Sequence, residues 1–315
     1  MSFAICTFIE DHYHFGVAGL ANSVYKRGFR GSMFVGYRGK LPEWASPLKE
    51  NTLIEWNGSR TREVLEGMQI HFLPIDTEYH LSNYKPEFML RLFEGPAKNE
   101  EGIFFFDPDI VIKCKWDFFE TWAGHGVALV ADINGNMGLS HPIRKGWEAL
   151  LKTKNRSVTT PMQSYINAGF LGVSKANSGF LKVWSEFIEV AIADYGHKKS
   201  EMKGHPRSTL FYVADQDALN IAAMCSGYPI SEMGSEGMDF IHGGWTMSHA
   251  TSRPKPWKKN FIKLALAGKS PTLADYQYWM NAAWPINPFK KRRKVIFKRY
   301  CLKIASFIGR FYRRY

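Results

Sequence analysis

The chain has 315 residues and a formal net charge of +12, from 41 Lys and Arg against 29 Asp and Glu. Eleven of the basic residues lie between Lys290 and Tyr315, where no acid occurs, so residues 1–289 hold 30 basic and 29 acidic side chains. This near-neutral body with a basic tail argues against a nucleic-acid surface spread over the whole domain, and 45% hydrophobic with 22% charged residues excludes a disordered or collagen-like chain.

The opening, MSFAICTFIEDHYHF, has no basic start and no long apolar run before Glu10 and Asp11, which argues against a secretory signal. Residues 2–9 (SFAICTFI) predict a buried strand. Residues 15–28 follow with Val17, Leu20, Ala21 and Val24 at helical spacing, and 32–37 (SMFVGY) predict a second strand. A β-α-β opening favours a partly parallel sheet covered by helices. Further on, 69–75 predict a strand, 85–95 a helix, 102–107 a buried strand ending in acid, and 127–132 another. The polar segments around 141–160 and 196–208 are expected to be loops, either of which suits a mobile flap. Residues 167–173 predict a strand, 179–195 a long helix, 215–225 a helix opening with carboxylates, and 239–245 a late strand. No stretch reaches the about 18 apolar residues of a membrane span. Cys6, Cys114, Cys225 and Cys301 lie far apart with no C-x-x-C pair, so reduced thiols in a cytosolic protein are expected. The expected organisation is one domain over 1–265, a connecting segment over 266–289, and a basic amphipathic tail over 290–315.

Candidate chemistry starts at FFFDPDIVI (104–112), where apolar residues run into Asp107-Pro-Asp109. Carboxylates beside a core are costly unless paired or metal-bound. At the C-terminal end of a strand they suit Mg²⁺ or Mn²⁺ shared with substrate phosphates; a plain Asp-Pro turn is the alternative. HATSRPKPW (249–257) offers His249 as a nitrogen ligand and Lys255 as a point charge for phosphate, or else is a basic surface loop. Small Ala168 and Gly169 in YINAGFLGV let backbone approach a ligand. Asp215-Gln216-Asp217 opens a helix, where acids also serve the helix dipole.

In this order, K-P-E-F-x-L-x-L-x-E (85–94), F-F-D-P-D-I (105–110), N-A-G-F (167–170), D-Q-D-A-L-N (215–220) and H-x-x-S-x-x-K-P-W (249–257) resemble the GT-A-fold nucleotide-sugar glycosyltransferases of family 8, over roughly residues 2–260. The resemblance implies an α/β, Rossmann-like mixed sheet flanked by helices. It implies that Asp107, Asp109 and His249 bind Mn²⁺ (or Mg²⁺) bridging the phosphates of a UDP-sugar. Thr7 and Phe8 would lie near the base, on which Tyr13 would stack. Lys85 and Lys255 would approach the diphosphate or sugar, and Asp132, Asn167, Ala168, Gly169, Asp215 and Gln216 would surround the donor sugar and reaction centre. Ser252 stands in the diphosphate loop where the family usually has Gly, and the Glu10–Tyr13 loop is shifted in register. The implied reaction moves a hexose, galactose or glucose, to a saccharide acceptor with retention of configuration. An inverting transferase, a nucleotidyltransferase and a catalytically silent carbohydrate-binding or scaffold protein remain as alternatives.

In the tail, Phe297, Cys301, Ile304, Ile308 and Phe311 fall on one helical face, with Lys298, Arg299, Lys303, Arg310, Arg313 and Arg314 mainly on the other. This pattern favours a helix in the interface of an anionic membrane over a core-packed helix or a nucleic-acid tail. The expected location is the cytoplasmic face of the plasma membrane, with a saccharide or lipid-linked saccharide as acceptor.

Overall fold

The computed structural model describes residues 2–52 and 54–311. Arg313 and Arg314 of the expected tail lie outside the described residues. In chain order the elements are β1 (Phe3–Ile9), α1 (His14–Lys26), β2 (Gly31–Tyr37), β3 (Lys49–Glu50), β4 (Arg60–Leu65), β5 (Met68–Pro74), α2 (Lys85–Glu94), β6 (Gly102–Phe106), β7 (Ile110–Ile112), α3 (Trp116–Gly124), β8 (Val127–Asn136), α4 (Pro142–Thr153), β9 (Ser164–Ile166), β10 (Phe170–Ser174), α5 (Gly179–Tyr195), α6 (Ala214–Cys225), β11 (Ile230–Met233), β12 (Met247–His249), α7 (Phe261–Leu266), α8 (Leu273–Asn281) and α9 (Arg292–Gly309).

Among the described residues the central sheet runs β11-β8-β10-β6-β1-β2-β5-β4-β3, with β9 added beside β8. Strands β6, β1, β2 and β5 are parallel, while β10 runs antiparallel to β6. Both faces are covered, which explains the unbroken apolar runs. In β1 and β6, Ala4, Cys6, Phe8, Ile103 and Phe105 face the helices α2, α5 and α6. Phe3, Ile5, Ile9, Phe104 and Phe106 face α1 and α3 on the other side. This is the mixed sheet flanked by helices that was expected.

Chain direction across the sheet reverses between β1 and β6. After β1 the chain moves outward through α1 to β2 and β5, then returns through α2 to β6. The crevice at such a reversal, beyond the carboxyl ends of the strands, is where α/β folds bind ligands. Here Asp107 directly follows β6, and Thr7 lies two residues before the end of β1.

Two expectations fail. The 141–160 segment is not a loop, because α4 occupies Pro142–Thr153 and buries Trp147, Leu150 and Leu151. These recur at i, i+3 and i+4, a helical signal masked by the polar residues around them. Residues 239–245 form no strand: Asp239 has φ of 58°, and the late strand is the following Met247–His249.

The expected connecting segment carries α8 and docks against α1. Buried Asn22 donates to the carbonyls of Asn281 (2.6 Å) and Ile286 (2.7 Å) and accepts from Ile286 N. Helix α9 then lies on α7 and α8 through Val295, Leu302 and Ala305, which join a core with Phe261, Trp279 and Phe289. The docked face is therefore not the apolar face expected from the sequence. Phe297, Ile304 and Phe311 are exposed, Cys301 and Ile308 are half-buried, and Ile296, Tyr300 and Phe307 are exposed beside them.

Candidate active site

Strand β6 ends at Phe106, and the next residues, Asp107-Pro108-Asp109, turn the chain out of the main sheet. Strand β7 then pairs antiparallel with β12, setting His249 opposite Ile110. This small second sheet brings a residue 140 positions away onto the Asp-Pro-Asp turn. Helix α1 supports the turn from behind at Gly16, where a Cβ would lie 2.2 Å from the Pro108 carbonyl. On the other side, β10 places Gly169 beside Asp107, whose N–H donates to the Gly169 carbonyl at 2.7 Å.

Asp107, Asp109 and His249 each offer one ligand atom within 4.8 Å of the others. His249 Nε2 lies 3.3 Å from Asp109 Oδ1 and 3.7 Å from Asp107 Oδ2. The other oxygen of each aspartate belongs to a lysine. Lys255 Nζ reaches Asp109 Oδ2 at 2.5 Å and also donates to Ala250 O at 2.8 Å. Lys85 Nζ lies 3.2 Å from both Asp107 Oδ1 and Asp215 Oδ2, and donates to Ala168 O at 2.9 Å. The lysines thus orient both carboxylates, leaving Oδ2 of Asp107, Oδ1 of Asp109 and Nε2 of His249 convergent. Two carboxylate oxygens and an imidazole nitrogen form a donor set for a divalent cation of the Mn²⁺ or Mg²⁺ kind.

The electrostatics are consistent with this. Burial works against ionisation of Asp109, but His249 and Lys255 outweigh it and hold the carboxyl well below its usual range. Burial likewise opposes the Lys85 charge, and Asp107 and Asp215 outweigh it, keeping the ammonium above its ordinary pKa.

A cavity of about 470 Å³ opens in front of this cluster, lined by Lys85, Asp107, Asp132, Asn167, Gln216 and His249, among others. Asp132 Oδ2 accepts from Asn167 Nδ2 at 2.5 Å and from Gln216 Nε2 at 3.4 Å, while Gln216 Oε1 accepts from Ala168 N at 3.2 Å. Asp215 also lines the cavity; its Oδ1 is buried without a hydrogen-bond partner among the described residues. Ala168 and Gly169 complete this wall.

Thr7, Phe8, Tyr13 and Ser252 are not among the residues that line this cavity. Thr7 is buried within β1, and Phe8 packs among Tyr84, Phe88 and Phe105. Tyr13 meets Trp257 edge-on at 5.9 Å, with Lys255 Nζ 5.9 Å from its ring centre. Ser252 Oγ accepts from Lys259 at 3.0 Å.

Several cavity residues were not singled out from the sequence. Lys203, Arg207 and Tyr212 come from the polar segment after α5, the one flap candidate without regular structure. Neither cation forms an ion pair among the described residues, and each lies 5.3 Å from the Tyr212 ring. Arg207, then Lys203, draw the Tyr212 phenol below its usual pKa. Tyr165 lines the cavity beside Asp217, one of the acids read from the sequence as opening a helix: the phenol donates to Asp217 Oδ1 at 2.7 Å, and Oδ2 accepts from Tyr212 N and Val213 N.

Burial raises the Asp217 carboxyl to about 6 despite these hydrogen bonds. A carboxyl with a folded pKa above its unfolded value of about 4 binds protons more readily in the folded chain. Its ionisation therefore costs nothing below pH 4, and stability falls as pH rises through 6. Asp217→Asn keeps the contacts, since its oxygen can accept the two backbone N–H groups while its amide donates to the Tyr165 oxygen. The expected result is equal stability of the two proteins near pH 4 and an advantage of about 2–3 kcal/mol for the variant at pH 7.5, measured by urea unfolding.

Solved structures supply the comparison that decides the fold. The bifunctional glycosyltransferase WbbM matches over 94% of this chain with a TM-score of 0.53 and 14% identity. This chain has a glycosyltransferase fold, of the GT-A type. The glycosyltransferase GlyE of Streptococcus pneumoniae matches over 96% of the chain (TM-score 0.49, 13% identity). The galactosyltransferase LgtC, solved with donor and acceptor sugar analogues, matches over 82% of this chain and 90% of its own (TM-score 0.46, 15% identity). The chain spans 51% of the WbbM chain and 64% of the GlyE chain. No protein-family model and no curated protein matches it by sequence.

Proposed function

We propose that the protein is a metal-dependent, retaining glycosyltransferase of family 8. It moves a hexose, galactose or glucose, from a UDP-sugar to a saccharide acceptor of lipopolysaccharide, capsule or another cell-surface glycan. The observation that carries this reading is the convergence of Asp107, Asp109 and His249 at the mouth of a polar cavity in a glycosyltransferase fold.

A divalent cation held by these three residues would act as a Lewis acid towards a departing diphosphate. The chain's own groups account for the rest. Lys85 and Lys255 hold the two aspartates in register and add positive charge beside them. When the bond from the anomeric carbon to the diphosphate oxygen breaks, positive charge grows on the sugar. Asp132, Asp215 and Gln216 line the cavity and supply the carboxylates and the amide to stabilise it. The acceptor hydroxyl forms the new bond on the same face, and its proton passes to the leaving phosphate oxygen, so no side-chain base is required. Lys203, Arg207 and Tyr212 suit the acceptor side of the cavity.

The exposed row Phe297, Tyr300, Ile304 and Phe307 on α9, followed by exposed Phe311 just past its end, supports contact with an anionic membrane surface, at the cytoplasmic face. No helix among the described residues is long and apolar enough to cross a membrane.

A donor panel in Mn²⁺, read by nucleotide release and by NMR of the product linkage, tests the assignment. UDP-hexoses should turn over with retention, and EDTA should remove the activity. An inverted product, or full rates in EDTA, would refute it.

A further inference from the structure

A second cavity lies apart from the one facing the metal cluster. It has a volume of about 930 Å³ and lies between the start of α1, the loop before β3 and the start of α9. We propose that it is a slot for one anionic phospholipid, holding the phosphate on its rim and the first methylenes of the lipid chains against its floor. This rests on the reading that α9 meets a membrane, and deepens it from a diffuse surface to a built site.

The floor is aromatic. Phe15 stacks on Phe289 with ring centres 5.0 Å apart, and Trp44 lies beside them, buried. Trp44 Nε1 already donates to His14 Nδ1 at 3.1 Å, so the floor's indole N–H is satisfied. Such a floor offers little to inorganic phosphate or to a nucleotide diphosphate, but suits methylene groups.

The rim is basic. Lys290, Lys291, Arg293 and Lys294 all line the cavity and are exposed. Lys290 is neutralised by Glu43 at 3.1 Å. Lys291, Arg293 and Lys294 have no carboxylate partner among the described residues. Lys294 Nζ lies 5.0 Å from the centre of the Phe289 ring, which places positive charge directly against the apolar floor. Cations beside an aromatic slot match an amphiphile whose anionic head is joined to a hydrocarbon chain; a neutral lipid leaves them unpaired. Phe297 lines the same cavity and begins the exposed apolar row of α9, so the slot opens onto the face expected to lie in the bilayer. None of the metal-cluster residues lines it.

The test uses the full chain and dihexanoyl phosphatidylglycerol below its micelle concentration, titrated by calorimetry. Saturable one-to-one binding is expected, with no competition from inorganic phosphate. Replacing Lys291, Arg293 and Lys294 together by Gln should weaken it by at least about tenfold. Replacing Lys303, farther along the same helix, and Arg310, just past its end, by Gln should change it by less than about twofold. No binding, displacement by inorganic phosphate, or equal weakening in both variants would overturn the slot. Flotation with phosphatidylcholine vesicles, with and without phosphatidylglycerol, separates the two readings. Vesicle binding without short-chain lipid binding overturns the slot and leaves the membrane reading standing. Short-chain lipid binding without vesicle binding supports the slot and removes the membrane reading.

Discussion

Replacing Asp107 by alanine is expected to lower Mn²⁺-dependent UDP release by about 10³-fold while leaving the thermal midpoint nearly unchanged. The two effects separate because Asp107 is the most exposed member of the cluster, with its side chain 27% accessible. Its Oδ2 converges on His249, and its Oδ1 lies against Lys85. Once the carboxylate is gone, Lys85 still has Asp215 and the Ala168 carbonyl. No buried charge is stranded, so the fold loses little. Asp109→Ala should behave differently. Its carboxylate is the ion-pair partner of buried Lys255, and truncating one member of a buried pair costs about 3–5 kcal/mol. That variant should lose both turnover and stability. Steady-state kinetics and thermal melts on the two proteins, side by side, give the comparison. Substantial turnover in Asp107→Ala would mean that the convergent trio is not the reacting centre.

How the chemistry was legible differs from residue to residue. Asp107 and Asp109 announce themselves locally, because two carboxylates directly after four buried apolar residues need a compensating partner. His249 has no such local mark. It reaches the aspartates only because β12 pairs with β7, a pairing between short strands 135 positions apart at their nearest, Ile112 and Met247. Order along the chain and family resemblance located it; periodicity alone did not. The parallel core was legible because strands buried on both faces must be apolar throughout, as β1 and β6 are. Helix α4 was not, because one narrow face of Trp147, Leu150 and Leu151 is embedded in polar residues. Helix α9 shows the limit of an amphipathic reading. Its sequence carries enough apolar residues for two faces, and only tertiary contact shows that Val295, Leu302 and Ala305 dock. The cations Lys203 and Arg207 illustrate a third case, since an irregular segment leaves no pattern from which to tell which way its side chains face.

Gly169→Ala is expected to reduce turnover by about 100-fold and to weaken the apparent Mn²⁺ affinity by about tenfold, although it removes no ligand. A Cβ at this position would lie 2.5 Å from His249 Cε1, 2.8 Å from Asn167 Oδ1 and 3.0 Å from Asp107 Oδ2. All three distances are too short, so something must move. The glycine itself has little room to retreat. Its N–H donates to Asn167 Oδ1 at 2.9 Å, and its carbonyl accepts from Asp107 N at 2.7 Å. Strain therefore passes to the imidazole and the carboxylate, where sub-ångström displacement is enough to harm catalysis. Overpacking of this kind also costs about 1–3 kcal/mol of stability. Ligands that are displaced but still present should respond to mass action, so raising Mn²⁺ should restore part of the lost rate in Gly169→Ala and none in Asp107→Ala. The same turn can be pressed from behind. Gly16→Ala would crowd the Pro108 carbonyl at 2.2 Å and Trp257 at 2.8 Å. Because Pro108 sits between Asp107 and Asp109, this variant should lower both the thermal midpoint and the Mn²⁺-dependent rate. A Gly169→Ala enzyme with wild-type rate and Mn²⁺ dependence would show that His249 and Asp107 need not hold their positions for the reaction.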